Sequence, residues 1–342
     1  MTNKNCFDFL RFAFAINIFL AHLSELSQSE KLFFLSNYTD AMIGVRGFFV
    51  ISGFLVAKSY VNTNSLKTYF VKRAKRILPA YFVVIVVATL GLALVSSYSF
   101  VEYFSSSSVY KYFGWNIIFL NFMQPCLPGI FDNNLLCSVN GALWTLKIEE
   151  GFYILLPFIF YFFKKTKKPF YTLLGLYLFS LLYSYMMGYL GKPLLGKQLP
   201  GQLTYFIVGI YLFMNFATFI KYKYELVLIS ATILFVLWFF NVQIDIIYPL
   251  LFGLLLIGGA YCIPFLNNFG KYGDFTYGIY IFHFPIIQIF RGYNMFEKYD
   301  PFLVAIAVFC ITIIIAIISW FVVEKRFVAR FKKTSKNLVY AN

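Results

Sequence analysis

Apolar residues fall in ten long runs, at about 8–27, 41–60, 78–97, 144–163, 170–188, 203–220, 225–240, 245–263, 275–292 and 301–323. About 20 apolar residues in a helix cross the ~30 Å hydrocarbon core of a bilayer, so the pattern predicts about ten transmembrane helices. The seventh run is short and ends in WFFN, which predicts tilt or a local adjustment of the bilayer. The tenth is almost purely apolar and predicts a peripheral, lipid-facing helix. An inner loop at 61–77 carries KTYFVKRAKRI, and a second at 164–168 reads KKTKK. The outer connection, 98–143, is the longest. Its YKYFGWNIIFLNFM stretch fits a re-entrant or surface-lying segment, and its end is rich in turn formers. A structureless connection of that length is unusual unless it is functional. No internal repeat is apparent.

The polar positions inside the runs carry the chemistry. In the first run Arg11 and His22 are eleven residues apart, three helical turns plus about 20°, so they share one face about 16 Å apart. The stripe runs Asp8, Arg11, Ala15, Ile18, His22, Glu25. Ionisable groups in membrane helices usually face a bundle interior or a wet cavity and mark function. The plainer alternative is a snorkelling Arg11 and a His22 that bonds a neighbouring helix. His283 is the second of only two histidines. On its helix Thr276, Tyr280, His283, Ile287 and Arg291 fall within about 80°, so the two imidazoles can meet. The alternative is that His283 hydrogen-bonds a neighbouring helix beside Pro285.

Composition agrees with a membrane protein: 61% of the 342 residues are hydrophobic, against the 45–50% usual for soluble domains, and only 13% are charged. Mean hydropathy is +0.74. The expected fold class is an all-α polytopic membrane helical bundle, one domain over 1–342 with a basic tail from about 324 to 342. The net charge of +15 does not point to nucleic acid. With a cytoplasmic N-terminus, twenty of the 29 basic residues fall inside and six outside, as the positive-inside rule requires for cytoplasmic N- and C-termini. The first run lacks a small-residue cleavage site and reads as a retained helix. Of five cysteines, Cys6, Cys262 and Cys310 sit in or beside apolar runs and are expected to pack. Cys126 and Cys137 share the outer connection. A disulfide fits there, although two independent thiols are the expectation adopted.

Arg73 and Arg76 in KRAKR stand at i and i+3, neighbours on one helix face, where guanidinium forks bind phosphate oxygens. With Lys72 and Lys75 they form a dense cationic site, and topology-setting or contact with anionic lipid is the equal alternative. WTLKIEEGFY puts Glu149 and Glu150 at the start of an apolar helix, with Trp144 before and Tyr153 after. One carboxylate suits the helix dipole; two are more than a cap requires. GVRGFFVISGFL brings Gly44, Gly47, Gly53, Arg46 and Ser52 into the second run, with glycines that permit close backbone approach. Walker, zinc and GxSxG patterns are absent, and no metal site is expected.

Taken in order, Arg11-x10-His22, GVRGFFVISGFL, the arginines of RAKR, NGALWTLKIEEGFY, FTYGIYIFHFP and the ending WFVVEKRF resemble the acyltransferase-3 family of integral membrane O-acyltransferases, over nearly the whole chain. No hydrolase-like domain follows, so the chain resembles the stand-alone members that acylate surface glycans. The resemblance implies a multi-pass protein of the bacterial inner membrane. It would transfer an acyl group, most often acetyl, from cytoplasmic acyl-CoA to a hydroxyl of a saccharide or glycolipid. Acyl-CoA is a donor substrate, and no permanently bound cofactor is implied. The family's essential arginine and histidine map to Arg11 and His22, its phosphate-contacting RxxR arginines to Arg73 and Arg76, and its W-[ST]-L-x-x-E glutamate to Glu149. Two departures stand out. Leu23 follows the histidine where many members carry an acid, and Lys147 puts a charge inside the WTL block.

On this reading Arg73, Arg76 and Lys72 hold the nucleotide phosphates, and Arg11 contacts the phosphate or phosphopantetheine region. His22 is the general base, oriented by Glu149. An acyl-histidine intermediate stays open. The acceptor or the oxyanion would be met by residues among Asn140, Trp144, Tyr280, His283, Ser52 and the backbone near Gly53. A transporter, flippase or polymerase of a lipid-linked saccharide would also use intramembrane Arg and His. A transporter should show inverted repeats, and a polymerase should concentrate its arginines outside.

Overall fold

The computed structural model describes residues 4–242 and 244–328, and no strand occurs among them. Most of the basic tail, with Arg330, Lys332, Lys333 and Lys336, lies outside the described residues. Fifteen α-helices follow one another. They are α1 (Phe7–Ser27), α2 (Ala41–Val61), α3 (Leu66–Gly91), α4 (Phe100–Ser105), α5 (Ser107–Ile117), α6 (Trp144–Thr166), α7 (Pro169–Tyr189) and α8 (Pro193–Gly196). After these come α9 (Leu199–Met214), α10 (Phe216–Lys221), α11 (Lys223–Phe239), α12 (Tyr248–Cys262), α13 (Thr276–Gly292), α14 (Met295–Lys298) and α15 (Pro301–Ser319). Each of the ten apolar runs falls on a helix, and the chain is a polytopic membrane helical bundle. Five helices (α1, α2, α3, α7 and α15 with its extension to Val328) are each long and apolar enough to cross a bilayer. A sixth span arises if α12 and the bent segment after it count as one. The others are shortened by breaks, such as the one at Asn215, or carry charges, as α6 does.

Two loops differ from expectation. The inner loop 61–77 contracts to a few residues, because α3 begins at Leu66 and takes in the whole KRAKR block. Lysine and arginine are good helix formers that only hydropathy reads as loop. The outer connection 98–143 is folded: α4 and α5 start on capping serines, Ser99 and Ser106, and a full capping box joins Ser99 to Glu102.

The described chain forms two compact units. Among the described residues the first comprises 4–14, 43–69, 148–242 and 244–272, the second 15–42, 70–147 and 273–328. In lipid, apolar burial between helices gains little, so close packing and polar contacts must hold each unit together. In the first unit α2 crosses α9 at two glycines. A Cβ on Gly53 would collide with the Phe206 carbonyl oxygen, and one on Gly209 would lie 2.7 Å from the Phe54 amide. Phe152 stacks on Phe206 with ring centroids 4.4 Å apart. Lys223 donates to the Tyr261 carbonyl (2.9 Å) in the last turn of α12, where a cation complements the dipole.

In the second unit α15 presents Val304, Val308, Thr312, Ala316 and Ser319 inward at helical spacing, against α13. Gly278 of α13 fits there only because it lacks a Cβ, which would lie 2.8 Å from the Ala316 Cα. The opposite side exposes Leu303, Ile306, Ile314 and Ile318, as a lipid-facing helix should. The outer connection packs on the end of α3 through Leu92, Tyr103, Tyr112, Leu127 and Ile130. Tyr81 donates to the Asn116 carbonyl (2.6 Å), and Asn121 donates to Tyr81 (3.1 Å). Cys126 and Cys137 are joined in a disulfide, which corrects the expectation of two independent thiols. Spacing alone leaves that choice open. Their Cα atoms come within 5.3 Å because the segment between them folds back on itself.

Candidate active site

In the second unit the α1 stripe is fully buried at Ala15 and Ile18, on the line to His22, and exposed at Glu25. His22 is partly exposed, whereas His283 is entirely buried. The two imidazoles meet, His22 Nδ1 lying 2.8 Å from His283 Nε2. Their planes are 11° apart and their centroids 5.1 Å apart. A nitrogen contact that short at that centroid separation sets the rings edge to edge in nearly one plane, the geometry of an N–H···N bond rather than of face stacking. His283 Nδ1 lies 3.0 Å from the Ile279 carbonyl oxygen, one turn back on α13. Phe19, Phe284 and Tyr280 pack around the pair.

The segment before α6 is pinned to α13 beside this pair. Pro285 has no N–H, so the Ile281 carbonyl has no donor from the helix ladder. Asn140 supplies one, Nδ2 to Ile281 O at 2.7 Å, and its Oδ1 accepts the Ala142 amide. Tyr280 donates to the Ala142 carbonyl (2.7 Å) and meets the Thr145 hydroxyl. Gly141 leaves room for the Phe284 ring, 2.6 Å from where a Cβ would stand. Further along α13, Gln288 is fully buried with its amide spent on three partners. It donates to Leu136 O (2.7 Å) and Ser138 O (2.9 Å) and accepts from Asn134 (2.9 Å). This ties the disulfide-closed segment to the helix that carries His283.

In the same unit Arg73, Arg76 and Lys72 lie on α3, all partly buried. Arg76 pairs with Asp274 at 2.5 Å, and Asp274 also accepts the Thr276 amide at the start of α13. Glu324, 2% exposed, accepts from Ser319 at the end of a π-helical turn, Trp320–Glu324. Trp144 opens α6, and Lys147 stands 4.6 Å over the Phe122 ring, which gives its charge a partner.

Arg11, Glu149, Ser52 and Gly53 belong to the first unit. Arg11 pairs with Asp8 one turn earlier (2.8 Å). Glu149 accepts from Tyr153, whose carbonyl accepts from Tyr69 (3.0 Å). Gly53 is mid-helix, its amide committed to the helix ladder and its open side occupied by α9. Arg46 lies 5.2 Å from the Tyr205 ring centroid, in cation–π contact. Asp274, Gln288 and Asn134 escaped sequence reasoning. Asp274 does carry a signal, an acid just before an apolar helix, and Gln288 another, an amide inside one.

Among the described residues no cluster of His, Cys, Asp and Glu could hold a metal ion. Residues 4–321 match the family model described as an acyltransferase domain. The chain is 26% identical over 339 residues to an "O-acetyl transferase" of Shigella phage Sf6, covering 96% of this chain and 98% of that one. It is 29% identical to "Nodulation protein 10" of Rhizobium leguminosarum over 48% of this chain and 47% of that protein. It is 27% identical to "Peptidoglycan O-acetyltransferase OatA" of Listeria monocytogenes over 72% of this chain but 45% of that protein. The chain thus spans about half the length of the last two relatives. No solved structure matches it. With the match running from residue 4 to residue 321, the chain belongs to the acyltransferase-3 family and is a membrane-embedded acyltransferase.

Proposed function

We propose that the protein, acting as one membrane-embedded domain in a bacterial inner membrane, moves an acetyl group from cytoplasmic acetyl-CoA to a hydroxyl of a saccharide. The names of the phage and Listeria relatives support O-acetylation, and the positive-inside count supports a cytoplasmic donor. The observation that carries the reading is His22. It is a partly exposed imidazole on a membrane-spanning helix, hydrogen-bonded to a second, fully buried one.

His22 acts as the general base. It takes the proton of the acceptor hydroxyl as that oxygen bonds to the thioester carbonyl carbon. The C–S bond then breaks, and the CoA thiolate leaves with the proton from His22. Imidazole suits both transfers because its ordinary pKa is near neutrality, and such catalysis supplies about 10²–10⁴ in rate. Arg73 and Arg76 grip the CoA phosphates, with Lys72 adding charge. Arg11 and Glu149 stand at positions that the family resemblance marks as essential or shared, Arg11 paired with Asp8 and Glu149 with Tyr153. Tyr280 and Asn140 shape the wall beside the pair.

The test is membranes from cells expressing the protein, incubated with acetyl-labelled acetyl-CoA and scored for alkali-labile acetate on saccharide. His22→Ala should abolish the label while the protein still inserts at normal levels. Near-normal labelling by that variant would refute the assignment.

A further inference from the structure

His283 carries two contacts that together decide where the protons sit. The partner of its Nδ1 is the Ile279 carbonyl oxygen, which can only accept, so Nδ1 bears the hydrogen. In a neutral ring Nε2 is then a bare lone pair. That lone pair faces His22 Nδ1 at 2.8 Å, so the proton between the rings belongs to His22 Nδ1. The second nitrogen of His22, Nε2, is left without a proton. Which nitrogen of a histidine is protonated follows from the bond the other one makes.

We propose that His283 is a positioning residue that holds His22 as the Nδ1–H tautomer, leaving Nε2 as the proton acceptor at the partly exposed end of a carbonyl–imidazole–imidazole chain. Full burial and the edge-to-edge geometry fix the ring, and Phe19, Tyr280 and Phe284 hold it laterally. When His22 takes the acceptor's proton on Nε2, its Nδ1–H still bonds His283. His283 stays neutral throughout, and no proton moves along the chain. A neutral partner differs from a carboxylate: it orients the base without adding a charge that the bilayer would penalise.

The inference rests on His22 being the base, but its test does not depend on turnover. The chain has only two histidines, so ¹⁵N-histidine labelling in bilayers gives spectra from two residues alone. In the wild type both rings should be Nδ1–H tautomers. His283→Leu should release His22 from that tautomer and lower kcat by about 10²–10⁴-fold, with KM for acetyl-CoA within about threefold. In His283→Gln, Oε1 stands as many bonds from the backbone as Nε2 does. That variant should keep His22 as Nδ1–H and recover most of the lost kcat.

A wild-type spectrum with His22 protonated at Nε2 overturns the proposal, even if the leucine variant fails to fold. So does a folded leucine variant with unchanged kcat. Wild-type membranes that transfer no acetate, with His22 nonetheless in the Nδ1–H form, would instead refute the function and leave the tautomer assignment standing.

Discussion

Asn140→Ala should destabilise the protein through a carbonyl it does not own. Pro285 deprives Ile281 O of its helical donor, and Asn140 Nδ2 at 2.7 Å replaces it in a buried site. A buried acceptor left bare costs about 1–3 kcal/mol, although interhelical bonds in membranes average nearer ~0.6 kcal/mol because the unfolded state finds other partners. Here the ladder donor is missing covalently, so we expect about 1–2 kcal/mol. Pro285→Ala supplies the missing N–H. In that background Asn140→Ala should cost only its bond to the Ala142 amide, a loss shared by both backgrounds. The double-mutant cycle should therefore show a coupling of about 1 kcal/mol, roughly fivefold in the unfolding equilibrium. Denaturant unfolding of the four proteins in mixed micelles measures it. A coupling under ~0.3 kcal/mol would show that the proline and the asparagine are unrelated.

Two further expectations follow. Replacing both Arg73 and Arg76 by alanine should raise KM for acetyl-CoA at least tenfold with a smaller change in kcat, and should flatten the dependence of KM on salt; an unchanged KM would leave these arginines a topological role only. Cys126→Ser with Cys137→Ser should lower stability by about 2–4 kcal/mol, and thiol alkylation of the untreated wild type should find only Cys6, Cys262 and Cys310; modification of all five would refute the disulfide.

The helices were legible because each is a long apolar run, and lipid demands little more than length and hydropathy from a span. Boundaries failed where charge and helix coincide, as in α3, whose first turns carry Lys72, Arg73, Lys75 and Arg76. His22 and His283 announced themselves separately, each an imidazole in an apolar helix. That the two imidazoles can meet was readable as one of two alternatives, and the structure decides for it across 261 residues; periodicity says which face a residue occupies and nothing about which helix covers it. Asp274 with Arg76, and Gln288 with Asn134, were hidden for the same reason. The Cys126–Cys137 pairing was open in sequence because an eleven-residue separation permits closure without requiring it.

The two sides of α15 imply different evolutionary freedom. Leu303, Ile306, Ile314 and Ile318 meet only acyl chains, so any apolar side chain should serve there and drift should be fast. Val304, Val308, Thr312 and Ala316 meet protein, and the smallest of them sits where Gly278 brings the two backbones together. In a saturation screen for retained activity, tolerance along α15 should oscillate with the helical repeat. The sharpest intolerance should fall at Ala316, which faces Gly278 so closely that a Cβ on that glycine would lie 2.9 Å from the Ala316 Cβ.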